Sequence, residues 1–267
     1  MDITTVIDLS LIRNESLDRI DKEFVRIITY PRADWVLFRK RIDALLEKGI
    51  RAVILDGPVQ IGRFHIMGKG TNSIVIKGLY NDDVVVVKLL RMDSSRDSLS
   101  LEAEIIKKIL DAYPRDKLVP KLIGSNDWMI IQEYIQGVNM FDFLSDEIYH
   151  LGMKDVSRAL SRVLYKGFLL DKLNIDHGEL SRPKSHVIFM EPEFEPVFID
   201  FESAKYRENP RNFSSLIQAI FIRHPSSEYL CELYNLNLEK IRRFVSIYNK
   251  SRTEDTVKYV ISKIFNL

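Results

Sequence analysis

The run Val84-Val85-Val86-Val87-Lys88-Leu89-Leu90 constrains this chain of 267 residues more than any other segment. Successive β-branched residues are stiff at χ1 and favour a pleated strand. The run does not alternate, which predicts a strand covered on both faces. Lys88 then places an ammonium among apolar neighbours, which is costly unless a carboxylate or a phosphate meets it. An edge strand that turns Lys88 to solvent is the competing reading.

Short β runs at 52–55, 61–67, 73–79 and 84–90, separated by glycines and by Asn81-Asp82-Asp83, make this region β-rich. A helix is predicted over 98–111. Its apolar face, Ile105, Ile106 and Ile109, makes Glu102 a better partner for Lys88 than Glu104. A strand follows at 128–134. Beyond Gly137 the period becomes helical, with helices at 141–146, 156–171, 212–222 and 238–248, a last one ending at Phe265, and β runs at 187–190 and 197–199. Ahead of the first strand, a helix over 15–29 is broken by Tyr30-Pro31, and a second runs from residue 33 to a C-cap at Gly49. The two are expected to pack on the β-rich part, with a small nucleic-acid-binding module as the alternative. The fold class is therefore α+β, in three parts: a helical extension (1–51), a β-rich part (52–135) and an α-rich part (136–267), with 133–137 as the crossing.

Bulk properties exclude several classes. A net charge of +1 gives no global field for coating nucleic acid. No apolar stretch reaches the roughly 20 residues that span a bilayer, and residues 1–10 lack the basic region of a signal peptide. A single cysteine, Cys231, excludes an internal disulfide framework and a cysteine-rich zinc site, and makes a reducing cytoplasm the expected location. Cys231 itself reads as a small apolar residue on a helix. The cluster Arg39-Lys40-Arg41 reads as a solvated helix face, with an RNA or ribosome link through the N-terminal helices as the alternative.

Gly68-Lys69-Gly70-Thr71-Asn72-Ser73 lies between two predicted strands. A dinucleotide fingerprint would continue into a helix, and a Walker loop would follow Gly-Lys with Ser or Thr; neither does so here. What remains is a glycine hairpin that folds over phosphates, or a plain glycine-rich turn. Val75, Val86 and Ile188 are candidate apolar walls for an adenine ring, with backbone groups of Glu133 and Ile135 at its edge. Two acidic segments follow: Asp176-His177-Gly178-Glu179-Leu180, and Ile199-Asp200-Phe201-Glu202. Asp200 at a strand end suits Mg²⁺, with Glu202 adding an oxygen or capping the turn. Glu179, in a loop after a long helix, suits a base that accepts a hydroxyl proton. Solvated loop carboxylates are the bland alternative for both. A zinc cluster of His177, Glu179 and His186 is a further reading, although the deaminase Pro-Cys-x-x-Cys is absent. His177 otherwise orients the loop near Asp200.

Over residues 60–223 the chain resembles the protein kinase-like superfamily, specifically compact archaeal predicted Ser/Thr kinases related to the RIO type. The likeness rests on the order and spacing of Gly68-x-Gly70-x-x-Ser73-x-Val75, Lys88, Glu102, His177-Gly178-Glu179-Leu180-Ser181-Arg182-Pro183 and Asp200-Phe201-Glu202-Ser203. It implies a bilobal fold with a β-rich N-lobe, a compact α-rich C-lobe and ATP in the cleft. Lys88 would meet the α- and β-phosphates and pair with Glu102. Glu179 would stand in the catalytic-base position, and Asp200 would hold Mg²⁺ or Mn²⁺. Three departures accompany the likeness. Glutamate replaces aspartate at 179. Lys184, or His186 with a short insertion, stands where asparagine is expected, leaving Glu202 or His186 as substitute metal ligands. No Ala-Pro-Glu segment follows Ser203. The resulting expectation is an atypical ATP- and Mg²⁺-dependent Ser/Thr kinase with a protein acceptor, itself included. A pseudokinase-like nucleotide scaffold and a small-molecule kinase are the alternatives.

Overall fold

The computed structural model describes residues 4–182 and 186–266. The chain forms two compact units, one of Met1–Glu104 with Lys121–Tyr134, the other of Ile105–Pro120 with Ile135–Leu267.

In the first unit, β1 (Thr5–Asp8) leads into helices α1 (Leu9–Asn14), α2 (Lys22–Ile28) and α3 (Trp35–Glu47). Strands β2 (Ile50–Leu55), β3 (Val59–Ile61), β4 (Phe64–Ile66), β5 (Gly68–Lys69), β6 (Ser73–Tyr80) and β7 (Asp83–Leu90) follow. Helix α4 (Ser100–Ala112) begins in this unit and ends in the other; β8 (Leu122–Asn126) and β9 (Met129–Glu133) complete the sheet. Strand order is β1-β2-β6-β7-β9-β8, every pairing is antiparallel, and β5 pairs with the remaining end of β6.

Local chemistry sets these bounds. The Asp21 carboxylate accepts from Glu23 N and starts α2, so the helix read over 15–29 is instead a 3₁₀ turn at Leu17–Arg19 followed by a shorter helix. Asp34 caps α3 through Leu37 N at 2.9 Å. The region 61–67 is not one strand but a β3–β4 hairpin that turns at Gly62, whose φ of +60° favours glycine. Burial in β7 alternates over its first half, Val84 being 39% exposed, and becomes continuous only from Val87 to Leu90. Cover on both faces therefore holds for the half that carries Lys88.

Phe24, Ile28, Phe38, Ile42 and Leu45 share one core with Ile76, Val85, Val87 and Leu89 of the sheet. Residues 1–51 thus belong to the same compact unit as the strands after them. Of the basic cluster, Lys40 is exposed, Arg39 half-buried and Arg41 buried. Arg39 donates to the carbonyls of Ile12, Arg13 and Glu15. Arg41 is buried, donates to Ile28 O and Leu90 O at 2.6 Å each, and lies over the Trp128 ring; burial pushes its guanidinium down to about 10.

The second unit contains two small sheets, β10 (Val138–Asn139) with β12 (Val187–Met190) and β13 (Glu195–Phe198), and β11 (Ile175–Asp176) with β14 (Lys205–Tyr206). Short helices α5 (Met140–Asp142) and α6 (Ile148–His150) flank a π-helical turn. The long α7 (Met153–Lys172) buries Val156, Leu160, Val163, Leu164 and Phe168. Around it are α8 (Asn212–Gln218), α9 (Ser227–Leu233, which carries Cys231), α10 (Leu238–Ser251) and α11 (Glu254–Phe265). Among the described residues no helix is long and apolar enough to cross a membrane.

Candidate functional site

In the first unit, Lys88 sits in the middle of the sheet, opposite Val75 on β6 and Ile130 on β9. Its Nζ lies 2.8 Å from Glu102 Oε1, and the two residues are 5% and 3% exposed. Glu102 occupies the first turn of α4, on the face that buries Ile105, Ile106 and Ile109, whereas Glu104 is exposed. Breaking such a buried pair from one side costs about 3–5 kcal/mol, because a charge is left in low dielectric.

Beside it, β5 and β6 form the glycine hairpin. Gly68 pairs with Val75, Lys69 with Ile74, and Gly70 N donates to Ser73 O at 2.9 Å. The segment is strand, turn, strand, unlike the helix-entering loops of dinucleotide or Walker sites. The turn is anchored: Arg91 Nη1 donates to Gly70 O, Asn72 and Ser73 are buried, and Lys69 Nζ lies 3.3 Å from Tyr30 Oη. A side chain at Gly68 would meet Val75 only at ordinary van der Waals distance, so the strand itself does not demand glycine there. Val75 and Val86 are half-buried. Glu133 ends β9 and is bound to Lys121 in both directions, N to O at 2.9 Å and Oε2 to N at 3.1 Å. Ile135 and Ile188 belong to the second unit, the former buried.

The acidic segments are built up from the end of α7. Buried Asp171 accepts from Asn212 N and Nδ2, from Phe213 N, and from Tyr248 Oη at 2.5 Å. Burial nevertheless lifts its carboxyl above the usual range, against the pull of those donors. Asn212 in turn donates to Ile175 O and accepts from His177 N, which fixes the loop that follows β11. Asp176 accepts from Gly178 N and from Arg207 Nη1 at 2.8 Å. Gly178 has φ +88°, and a Cβ there would stand 2.8 Å from Ser203 O, so glycine is required.

His177 is fully buried, and its Nε2 donates to Ile199 O at 3.1 Å. Burial, helped by His186, lowers its pKa to about 4, so the ring is neutral at pH 7. Its bond to Ile199 ties the two acidic segments together. Glu179 holds a donor on each oxygen: Ser203 Oγ on Oε1, and His186 Nε2 on Oε2 at 2.7 Å. His186 Nδ1 lies 3.9 Å from Asp200 Oδ2. Asp200 is not the last residue of a strand. β13 stops at Phe198, and Asp200 stands two residues on with φ 62° and ψ 72°. A left-handed non-glycine residue costs on the order of 1–3 kcal/mol and persists only where its surroundings fix it. Glu202, half-buried, lies in the 3₁₀ turn Phe201–Ser203.

Glu179, His186 and Asp200 are therefore brought together in the second unit, and Lys88, Glu102, Val75 and the glycine hairpin in the first. Pro183 and Lys184 lie outside the described residues. The zinc reading fails: His177 is committed to Ile199 O, and among the described residues no three His, Cys, Asp or Glu side chains converge on a metal position. A nucleotide-bound Mg²⁺ needs no such cluster, since it takes one or two carboxylates besides water and phosphate oxygens. Asp200, half-exposed, has the chemistry for that. Sequence reasoning missed Asp171, Asn212, Arg207 and Ser203. Asp171 was detectable as a lone acid on the apolar side of α7; the other three act through tertiary contacts that no local pattern shows. No family model matches the chain, and no curated protein matches it.

Proposed function

We propose that this chain is a compact kinase-like enzyme that uses ATP and Mg²⁺ to phosphorylate Ser or Thr hydroxyls, its own included. The observation that carries the reading is the buried Lys88–Glu102 pair beside a glycine hairpin. An ammonium placed there by its own strand and held by a helix carboxylate is preorganised for phosphate oxygens. In this reading Asp200 holds the Mg²⁺, which neutralises charge on the phosphates. Glu179 receives the acceptor proton. The acceptor oxygen forms the new bond to the γ-phosphorus, the β–γ bridging P–O bond breaks, and ADP leaves. A carboxylate offers about four lone-pair positions, so the bonds from Ser203 and His186 orient Glu179 and leave it able to accept.

Lys88→Ala and Asp200→Ala are each expected to abolish label transfer from γ-labelled ATP, with retained helical circular dichroism. Undiminished transfer in both variants would sink the proposal. A second reading, nucleotide binding without transfer, draws on the same double engagement of Glu179. ATP titration with parallel ADP detection separates the two, because tight binding with no ADP release belongs to the scaffold.

A further inference from the structure

Next to Glu179 the second unit carries a polar pocket of about 560 Å³, lined by Arg211, Arg223 and Arg252 with Ser181, Ser214 and Ser215. A second hollow of about 440 Å³ shares Ser181 and Arg223 with it and contains Glu179 and Arg182. The two therefore adjoin. No carboxylate lines the first among the described residues, and Glu179 alone lines the second. Arg223 donates to Ser181 O and to Gln218 Oε1, and Arg252 to Pro210 O, all neutral acceptors. Among the described residues none of Arg211, Arg223 and Arg252 forms an ion pair.

Three guanidinium groups without a counter-charge are a surplus that a carboxylate monoanion would balance poorly. A phosphate, with its dianionic charge and oxygens matched to the guanidinium fork, balances it better. We infer that this pocket binds the phosphate group of a phosphorylated small molecule whose free hydroxyl is the group served by Glu179. The inference rests on the ATP-dependent phosphoryl transfer of the kinase reading and puts a small phosphorylated alcohol in place of its Ser or Thr acceptor.

Pyrophosphate titrated into full-length Lys88→Ala protein, in which the nucleotide-side lysine is gone, tests the pocket alone. Saturable binding is expected, weakened at least tenfold by adding Arg211→Gln and Arg223→Gln. Equal affinity with and without these changes, or binding by an adventitious ion only (equally displaced by chloride), overturns the inference. Should Arg223→Gln disturb folding, Arg211→Gln alone suffices, because that side chain makes no hydrogen bond within the described residues. With Lys88 intact, label transfer from ATP is then compared for a sugar phosphate and the same sugar unphosphorylated. Transfer to the phosphate ester that falls with Arg211→Gln supports the inference; indifference to the phosphate overturns it and leaves the kinase reading standing. Arginine-dependent pyrophosphate binding with no transfer to any acceptor keeps the anion site and ends the kinase reading.

Discussion

His177 shows what a single buried side chain does to a loop. Its ring is neutral because charging it would leave an imidazolium without solvent, and its Nε2–H is committed to Ile199 O. In the unfolded chain the same ring titrates near 6.5. The folded value is depressed, so as pH falls from about 6.5 to about 4 the unfolded state takes up the proton first and stability drops. Below about 4 both states are protonated and the loss is complete. A shift of this size corresponds to roughly 3 kcal/mol. Urea midpoints across that window should fall more steeply for the natural protein than for His177→Gln, which keeps a donor for Ile199 O but does not titrate. Parallel curves would show that the ring contributes nothing to acid sensitivity. The sequence marked His177 as a residue that orients the loop by hydrogen bonding near Asp200, and its bond goes to Ile199 O, the neighbouring residue. That Glu179 would be gripped by Ser203 and His186 was not legible, because positions 24 and 7 residues away meet it only through folding.

Among the elements, the helices and the paired central strands were the most legible, because the period of their apolar residues is set by the face they bury. Besides the two-residue strands β5, β10, β11 and β14, the strands that escaped were β1 and β8, the two ends of the sheet path. An edge strand covers one partner only and tolerates polar or small residues such as Gly124-Ser125-Asn126, which read as a loop. The junction of α7 with α8 was equally hidden, although the site depends on it. Asn212, 1% exposed at the start of α8, joins Asp171 on α7 to Ile175 and His177. Asn212→Ala removes the side-chain partner of three polar groups that stay buried. Each such orphan costs about 1–3 kcal/mol, so a loss of at least 2 kcal/mol in urea unfolding is expected. Phosphoryl transfer, under the kinase reading, should fall with it because the Glu179 loop loses its anchor. Stability within 0.5 kcal/mol of the natural protein, an order-of-magnitude threshold for neutral surface changes, would mean that the junction is held by packing alone.

For the whole molecule the instructive point concerns residues 1–51, read from the sequence as a helical extension whose two helices pack on the β-rich part, as they do. Leu9, Phe24, Val25, Ile27, Ile28, Phe38, Ile42 and Leu45 of that segment are each at most 1% exposed, in one core with the sheet that carries Lys88. Arg41 also bonds to Leu90 O, two residues from that lysine. Arg39 and Arg41 are occupied by main-chain carbonyls, whereas Arg13, Arg19, Lys22, Arg32, Lys40 and Lys48 stay exposed. The segment is structural support for the sheet. Burying each of those side chains contributes roughly 1.5–3 kcal/mol, a gross gain that chain entropy partly offsets, while a whole domain is ordinarily stable by only about 5–15 kcal/mol. Removing residues 1–51 should therefore leave the first unit unable to fold, even though the strand with Lys88 and the glycine hairpin are retained. The truncated chain is expected to be insoluble, or to lose near-ultraviolet circular dichroism from Trp128 while α10 and α11 keep far-ultraviolet signal. A soluble truncated chain with cooperative unfolding and an intact Trp128 signal would overturn this, and would show that the sheet closes its own core without α2 and α3.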